Sequence, residues 1–457
     1  MPNYRGKFQY QAQNGTVTQQ GACQVQFNDE TFTLIPETGA ALAFDLGDID
    51  ALKAADYEIV LPLYTGCTLR LQQFGKPFEN LVRELLESYR KRTLQCLLLA
   101  DMREVDRFTG AFTLETQAGP VVSGPAEIRL FKSNLAVLPT ETQAFQWRLA
   151  DVDAVRFDAG NYEVTLESQS GRLSINRLAK RTELFHSRLK ETLETLKAES
   201  AQALHAILPF LNPDELQATA SILREGHAAA ESRLAAVHPR IPAALVANAV
   251  DKSLKPYYDD LLGRAAKGSV FAGFKLVRPE DTDLMQAMDE GASDDAAETS
   301  DAATPEPTAD DDPNGPSVLY WFLFPIAAEP GGTEPGNVVA WEASSLSGRA
   351  TYFFRLIDEG APDSSRGSPK SAEAVARGVE RINRVLAMLN FRRRPIYLSD
   401  NALSGNPAFH RYAIAARRIS DLRTVRAAFL GRAIHSSLEA WKGQVNSILG
   451  KVGYPQN

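Results

Sequence analysis

Apolar and polar residues alternate through Tyr4-Arg5-Gly6-Lys7-Phe8-Gln9-Tyr10, and again through Phe108-Thr109-Gly110-Ala111-Phe112-Thr113-Leu114. A period of two predicts half-buried strands. The two stretches agree in character position by position, and the agreement continues downstream. Residues 23–27 match 126–130, and Leu34-Ile35-Pro36 matches Val137-Leu138-Pro139. In both copies the proline closes the apolar run, where it leaves no ladder bond missing. Next comes a shared signature, Leu42-Ala43-Phe44-Asp45-Leu46-Gly47-Asp48-Ile49-Asp50-Ala51-Leu52 against Phe145-Gln146-Trp147-Arg148-Leu149-Ala150-Asp151-Val152-Asp153-Ala154-Val155. Residues 57–61 then match 162–166, with Gly66 and Gly171 at turn positions.

Each copy ends where the period changes to the steps of three and four of an amphipathic helix. The first helix is predicted over 78–96, with Phe78, Leu81, Val82, Leu85, Leu86 and Tyr89 on one face, and the second over 182–197. Residues 1–198 are therefore read as a duplication, each copy holding about seven short strands and one helix.

Beyond the duplication, alanine and leucine become frequent. Asn212-Pro213-Asp214-Glu215 predicts a helix start, with a capping asparagine, a proline in the first turn and acids against the dipole. Further helices are expected over 228–237 and 242–265, the latter kinked at Pro256. Strands are expected over 271–277, 318–326, 337–343 and 350–357, then helices over 372–389 and from 408 towards 449.

The fold class read from this pattern is α+β. Two tandem bent antiparallel sheets, each capped by a C-terminal helix, occupy 1–100 and 104–198; a helical connector occupies 199–266. A C-terminal α+β module fills 267–457 and is interrupted by an acidic segment over 279–316. That segment has no Lys or Arg and almost no bulky apolar residue, so disorder is expected. It is read as an insertion within the last module, because Phe271, Phe274 and Leu276 need a buried partner; a linker between two domains is the other reading.

The strand order, the closing helices and the Leu46-x-Asp48-Ile49-x-x-Leu52 stretch resemble the pleckstrin-homology-like superfamily, and the stretch is similar to its GRAM and bacterial members. The resemblance covers residues 1–198 only. It implies modules that bind phosphoinositides, peptides or proteins. Lipid-binding members carry Lys and Arg between the first two strands, but 12–20 and 116–123 contain none here. Without paired cations for a phosphate, phosphoinositide binding through those loops is not expected, and a protein partner is.

Charge alters the picture only in the C-terminal part. Between 279 and 348 lie 16 acidic residues and no Lys or Arg, against 18 basic and 8 acidic residues from 349 to 457. Arg392, Arg393, Arg394, Arg411, Arg417, Arg418 and Arg426 are the candidate contacts to an anionic partner, either nucleic acid or an anionic membrane surface, with the acidic segment as an electrostatic mask. On one helix these arginines do not share a face.

Chemistry-bearing motifs are otherwise missing. Three cysteines and six histidines lie at no metal-ligand spacing, and no nucleophile elbow or phosphate-cradling loop occurs. His435 beside Ser436 and Ser437 makes a poor catalytic pair, because helix neighbours do not face each other. The Asp48/Asp50 and Asp151/Asp153 pairs are expected on the solvent face of a strand, with Ile49 and Val152 inward. The low cysteine count and the absence of a signal-peptide pattern point to a cytoplasmic protein. The expected function is a non-enzymatic scaffold or adaptor with no cofactor. The alternatives are nucleic-acid or anionic-surface binding, and an enzyme whose site is invisible in the sequence.

Overall fold

The computed structural model describes residues 3–100, 102–116, 119–277, 318–344, 350–356 and 370–454. It divides into two compact units, Met1–Glu194 with Ser404–Arg418, and Thr195–Leu403 with Ile419–Asn457.

In the first unit, strands β1 (Asn3–Gln11), β2 (Val17–Phe27), β3 (Thr31–Pro36), β4 (Leu42–Asp45), β5 (Lys53–Ala55), β6 (Glu58–Pro62) and β7 (Thr68–Gln72) form one curled antiparallel sheet in the order β4-β3-β2-β1-β7-β6-β5. Alternate residues face the core, as at Phe32 and Leu34 of β3 and Leu69 and Leu71 of β7. Helix α1 (Phe78–Cys96) closes this core with Phe78, Leu81, Leu85 and Tyr89. Each such side chain, fully buried, contributes roughly 1.5–3 kcal/mol. Tyr57 sits in the two-residue β5–β6 turn, where Asp56 and Tyr57 both take positive φ (51° and 60°). A right-twisted hairpin demands that handedness.

Strands β8 (Glu104–Thr116), β9 (Val122–Phe131), β10 (Asn134–Pro139), β11 (Phe145–Arg148), β12 (Ala154–Asp158), β13 (Glu163–Ser168) and β14 (Gly171–Asn176) repeat the arrangement in the order β11-β10-β9-β8-β14-β13-β12. Helix α2 (Thr182–Ile207) follows and packs Phe185 edge-on against Phe108, with ring centroids 5.0 Å apart. Two seven-stranded curled sheets, each followed by a helix, are compatible with pleckstrin-homology-like folds. The copies differ clearly at the third strand: β3 alternates, whereas every residue of β10 is buried. Leu94 of α1, with Leu97 and Leu99 beyond it, packs with Ala136 and Leu138. Arg90 adds an ion pair to Glu127 at 2.7 Å.

The second unit contains α3 (Pro213–Ile222), α4 (Glu231–Val237), α5 (Ile241–Ala249) and α6 (Lys255–Arg264). Asn212 and Glu215 form a reciprocal capping box at the start of α3. The single helix expected over 242–265 is two, because Asp251 accepts from the backbone N–H groups of Ser253 and Leu254 and holds a turn between them. The six strands β15 (Ala228–Ala230), β16 (Phe271–Leu276), β17 (Val318–Ala327), β18 (Pro335–Ser344), β19 (Ala350–Arg355) and β20 (Phe429–Ile434) form an antiparallel sheet in sequence order. All of β17 but its first residue is buried, since both sheet faces are covered. Tyr320, Phe322 and Phe324 join the core with Trp441 and Val445, while Trp321 on the other face meets Phe391 at 4.4 Å. β16 pairs with β17 from Phe271↔Leu323 to Leu276↔Val318. The disorder expected at 279–316 falls outside the described residues.

The remaining helices among the described residues are α7 (Ala372–Met388), α8 (Arg394–Tyr397), α9 (Asp400–Gly405), α10 (His410–Arg418), α11 (Ser420–Ala428) and α12 (Leu438–Gly450). The long helix expected from 408 towards 449 is therefore three helices and a strand. β20 is drawn out of helical form by its pairing with β19, which places Gly431 opposite Phe353 beside a register shift. Likewise 228–230, expected as helix, is extended because it pairs with β16.

Candidate functional site

The shared signature is not a strand. In each copy the fourth strand runs into a single 3₁₀ turn, Leu46–Asp48 in the first and Leu149–Asp151 in the second. Ile49 and Val152 point inward as expected. Asp48, expected on a solvent face, does not lie on one.

Asp45 caps the first turn. Its Oδ1 accepts from the Gly47 N–H at 2.6 Å. Arg92 of α1 grips the same carboxylate with a fork, Nε to Oδ1 at 2.8 Å and Nη2 to Oδ2 at 2.5 Å. Both side chains are almost fully buried, at 6% and 4% exposure. A bidentate guanidinium–carboxylate pair is the arrangement that best offsets the desolvation of two charges.

Helix α10 lies on this corner. His410, Ile414, Arg417 and Arg418 fall at helical steps and so share a face. His410 Nδ1 lies 3.4 Å from Asp45 Oδ2. Arg417 donates to Asp48 Oδ1 and stacks over Tyr64, 4.3 Å from the ring centroid. Arg418 donates to the carbonyl of Ile49 and lies 3.9 Å from Asp50 Oδ1. Burial pushes the Asp48 carboxyl up, and the Arg417 guanidinium pulls against that. Ile414 is fully buried against Gly47, where an added β-carbon would lie 2.9 Å from Ile414 Cδ1 and 2.8 Å from Cys96 Sγ.

The second copy differs at these points. Arg148 stands in the place of Asp45, and Ala150 in the place of Gly47. Arg148 Nη1 lies 3.8 Å from Asp151 Oδ1 of its own turn.

The seven candidate arginines are divided between the two units. Arg411, Arg417 and Arg418 belong to the first unit, and Arg392, Arg393, Arg394 and Arg426 to the second. Arg426 donates to the Pro395 carbonyl, to Leu398 O at 2.9 Å and to Asp400 at 2.6 Å, tying α8 to α9. Arg393 lies over Tyr352 at 5.9 Å, and Arg411 donates to the Tyr412 hydroxyl at 3.2 Å. Arg392 and Arg394 are not free either. The guanidinium groups of Arg417, Arg418 and Arg426, read from sequence as anion contacts, are occupied by acceptors within the chain.

A second polar cluster lies inside the second unit. Thr351 of β19 donates to Glu342 Oε2 at 2.5 Å and receives the Trp441 indole N–H at 3.0 Å. His435 Nε2 is 3.1 Å from the same hydroxyl and 3.2 Å from Glu342 Oε2. Its ring stacks on Tyr257 at 4.1 Å. A hydroxyl beside an imidazole and a carboxylate is the material of an activated nucleophile. Here Thr351, Glu342 and Trp441 have no exposed surface, and the hydroxyl proton is directed at the carboxylate. The arrangement joins β18, β19 and the residue after β20 to α12. His435 thus pairs with groups distant in sequence and not with Ser436 or Ser437.

Among the described residues, no group of three or more His, Cys, Asp or Glu side chains is placed to hold a metal ion. No helix among them is long and apolar enough to cross a membrane.

Sequence reasoning missed Asp45, Gly47, Arg92 and Ile414. A signal for the first two was available: they are the positions where the copies of the signature change charge or gain a β-carbon.

No family model matches the chain, and no curated protein does. Among solved structures, the C-terminal domain of an unknown protein from Leishmania infantum is similar over 24% of this chain and 98% of that one, at 8% identity and a TM-score of 0.19. The linker and DH/PH domains of p115-RhoGEF are similar over 26% of this chain at 12% identity and a TM-score of 0.18, and the match spans 47% of that protein's chain. Both likenesses are too slight to bear on function.

Proposed function

We propose that this chain is a non-enzymatic, protein-binding adaptor whose first two modules are pleckstrin-homology-like. The observation that carries the reading is the seat of α10 on the first sheet. Three acidic residues, a backbone carbonyl and a glycine-made recess receive a helix through two arginines, a histidine and an isoleucine. That is recognition of a polypeptide by charge and shape, the helix-in-groove mode of protein binding. The strand order, closing helices and cation-free first loops agree with it.

Binding of nucleic acid or an anionic surface is the weaker reading, because Arg417, Arg418 and Arg426 already have acceptors in the chain. The test is affinity capture with the full-length protein from its own host, followed by reconstitution with each captured polypeptide purified. The expected result is direct one-to-one binding at micromolar affinity or tighter, weakening only moderately between 50 and 200 mM salt. Binding confined to nucleic acid or anionic vesicles, falling by orders of magnitude over that range, would replace this reading with the other.

A further inference from the structure

We propose that the acidic corner of the first module is a receptor for an arginine-paired amphipathic helix, and that residues 404–418 are its tethered, exchangeable occupant. The inference rests on the protein-binding reading above and narrows it to one surface and one ligand chemistry. The ligand presents an apolar residue followed, three and four positions later, by two arginines on the same helix face. Ile414, Arg417 and Arg418 supply the pattern.

The site is addressed to one copy of the duplication. Gly47 leaves the room that Ile414 Cδ1 fills, and Asp45 presents a carboxylate to His410. At the same places the second copy carries Ala150 and Arg148, a β-carbon and a like charge. A helix of this kind is thereby directed to the first module, with exclusion from the second built by shape and repulsion.

The resident is an imperfect ligand. Arg418 Nε is buried with no acceptor among the described residues. Desolvation outweighs the pull of Arg417 on the Asp48 carboxyl. A buried donor left unmet and a partly desolvated ion pair both reduce the net attraction. Its tether adds to these contacts, since linkage within one chain supplies an effective concentration on the order of millimolar. A partner helix that satisfies both losses displaces it.

The test uses the full-length protein and a fluorescein-labelled synthetic peptide of residues 404–420, read by fluorescence anisotropy. The wild type, with its corner occupied, binds weakly. Arg417→Glu/Arg418→Glu in the protein expels the resident, and the peptide then binds at least about tenfold more tightly, because the tethered competitor is gone. Adding Asp48→Lys to that variant returns binding to the wild-type level or below. Ile414→Ala is the milder route to the same opening if the double variant melts early. Equal peptide affinity for wild type and for an opened, folded variant overturns the proposal, as does tight binding that survives Asp48→Lys. Either outcome leaves partner reconstitution through other faces standing, so the two readings fail separately.

Discussion

Gly47 and Ala150 hold the same place in two copies of one module, and a methyl group there decides whether Ile414 has somewhere to go. Gly47→Ala forces a β-carbon to within 3 Å of Cys96 Sγ, Asp45 Oδ1 and Ile414 Cδ1. Overpacking of this kind costs about 1–3 kcal/mol, measurable as a lower urea midpoint with an unchanged slope; an unaltered midpoint would show the recess to be looser than described. The cysteines give a second residue-scale prediction. Hydrogen bonds from Tyr10 and then Thr65 pull the Cys67 thiol down, against burial. Burial pushes Cys23 up to about 11 and Cys96 up to about 12. Thiolate is the reactive form, and a lowered pKa means more of it at a given pH. Iodoacetamide at pH 8 therefore alkylates Cys67 first, with Cys23 and Cys96 following only on unfolding; peptide mass spectrometry gives the order.

At the scale of elements, the buried Thr351 hydroxyl ties β18, β19, the residue after β20, and α12 together. Thr351→Val keeps the shape and leaves the Trp441 N–H without an acceptor, and Glu342 Oε2 with His435 alone. Each unmet buried group costs about 1–3 kcal/mol. A change below about 0.5 kcal/mol in denaturant titration would mean that water replaces the hydroxyl.

This cluster also marks where the sequence stops being legible. The order of strands and helices over 1–198 is written in local periods, because a side chain's face follows from its neighbours two or four positions away. Even the bounds of α1 are readable, since its apolar stripe starts and ends with the helix. β20 is not readable that way. Phe429–Ile434 has no strong alternation and becomes a strand only because β19 offers an edge far away in sequence. Two weak signals were present: Gly431, costly inside a helix, and Ser437, which caps α12 by accepting from the Ala440 N–H. The corner site fails to show for the same reason. Its acids read as surface residues until Arg92 and α10 are brought to them.

For the molecule as a whole, the charge segregation of the sequence does not map onto one unit. Candidate arginines fall in both units, and most are held by groups in their own unit. The whole-molecule prediction concerns the first unit. Hydrogen–deuterium exchange of the Arg417→Glu/Arg418→Glu protein rises over residues 46–52 and 410–418, while β17 to β19 keep wild-type protection. Exchange that rises throughout would mean the helix is needed for global folding rather than for covering one corner.

Asp48 and Arg417 lie 369 positions apart in the chain. At about 5–20 residues per second of synthesis, the first module emerges from the ribosome roughly 20–70 s before the helix that covers it. During translation its corner therefore stands bare, and a helix from another protein meets no resident rival. A partner docking at this corner, as proposed, has its easiest entry while the protein is still being made.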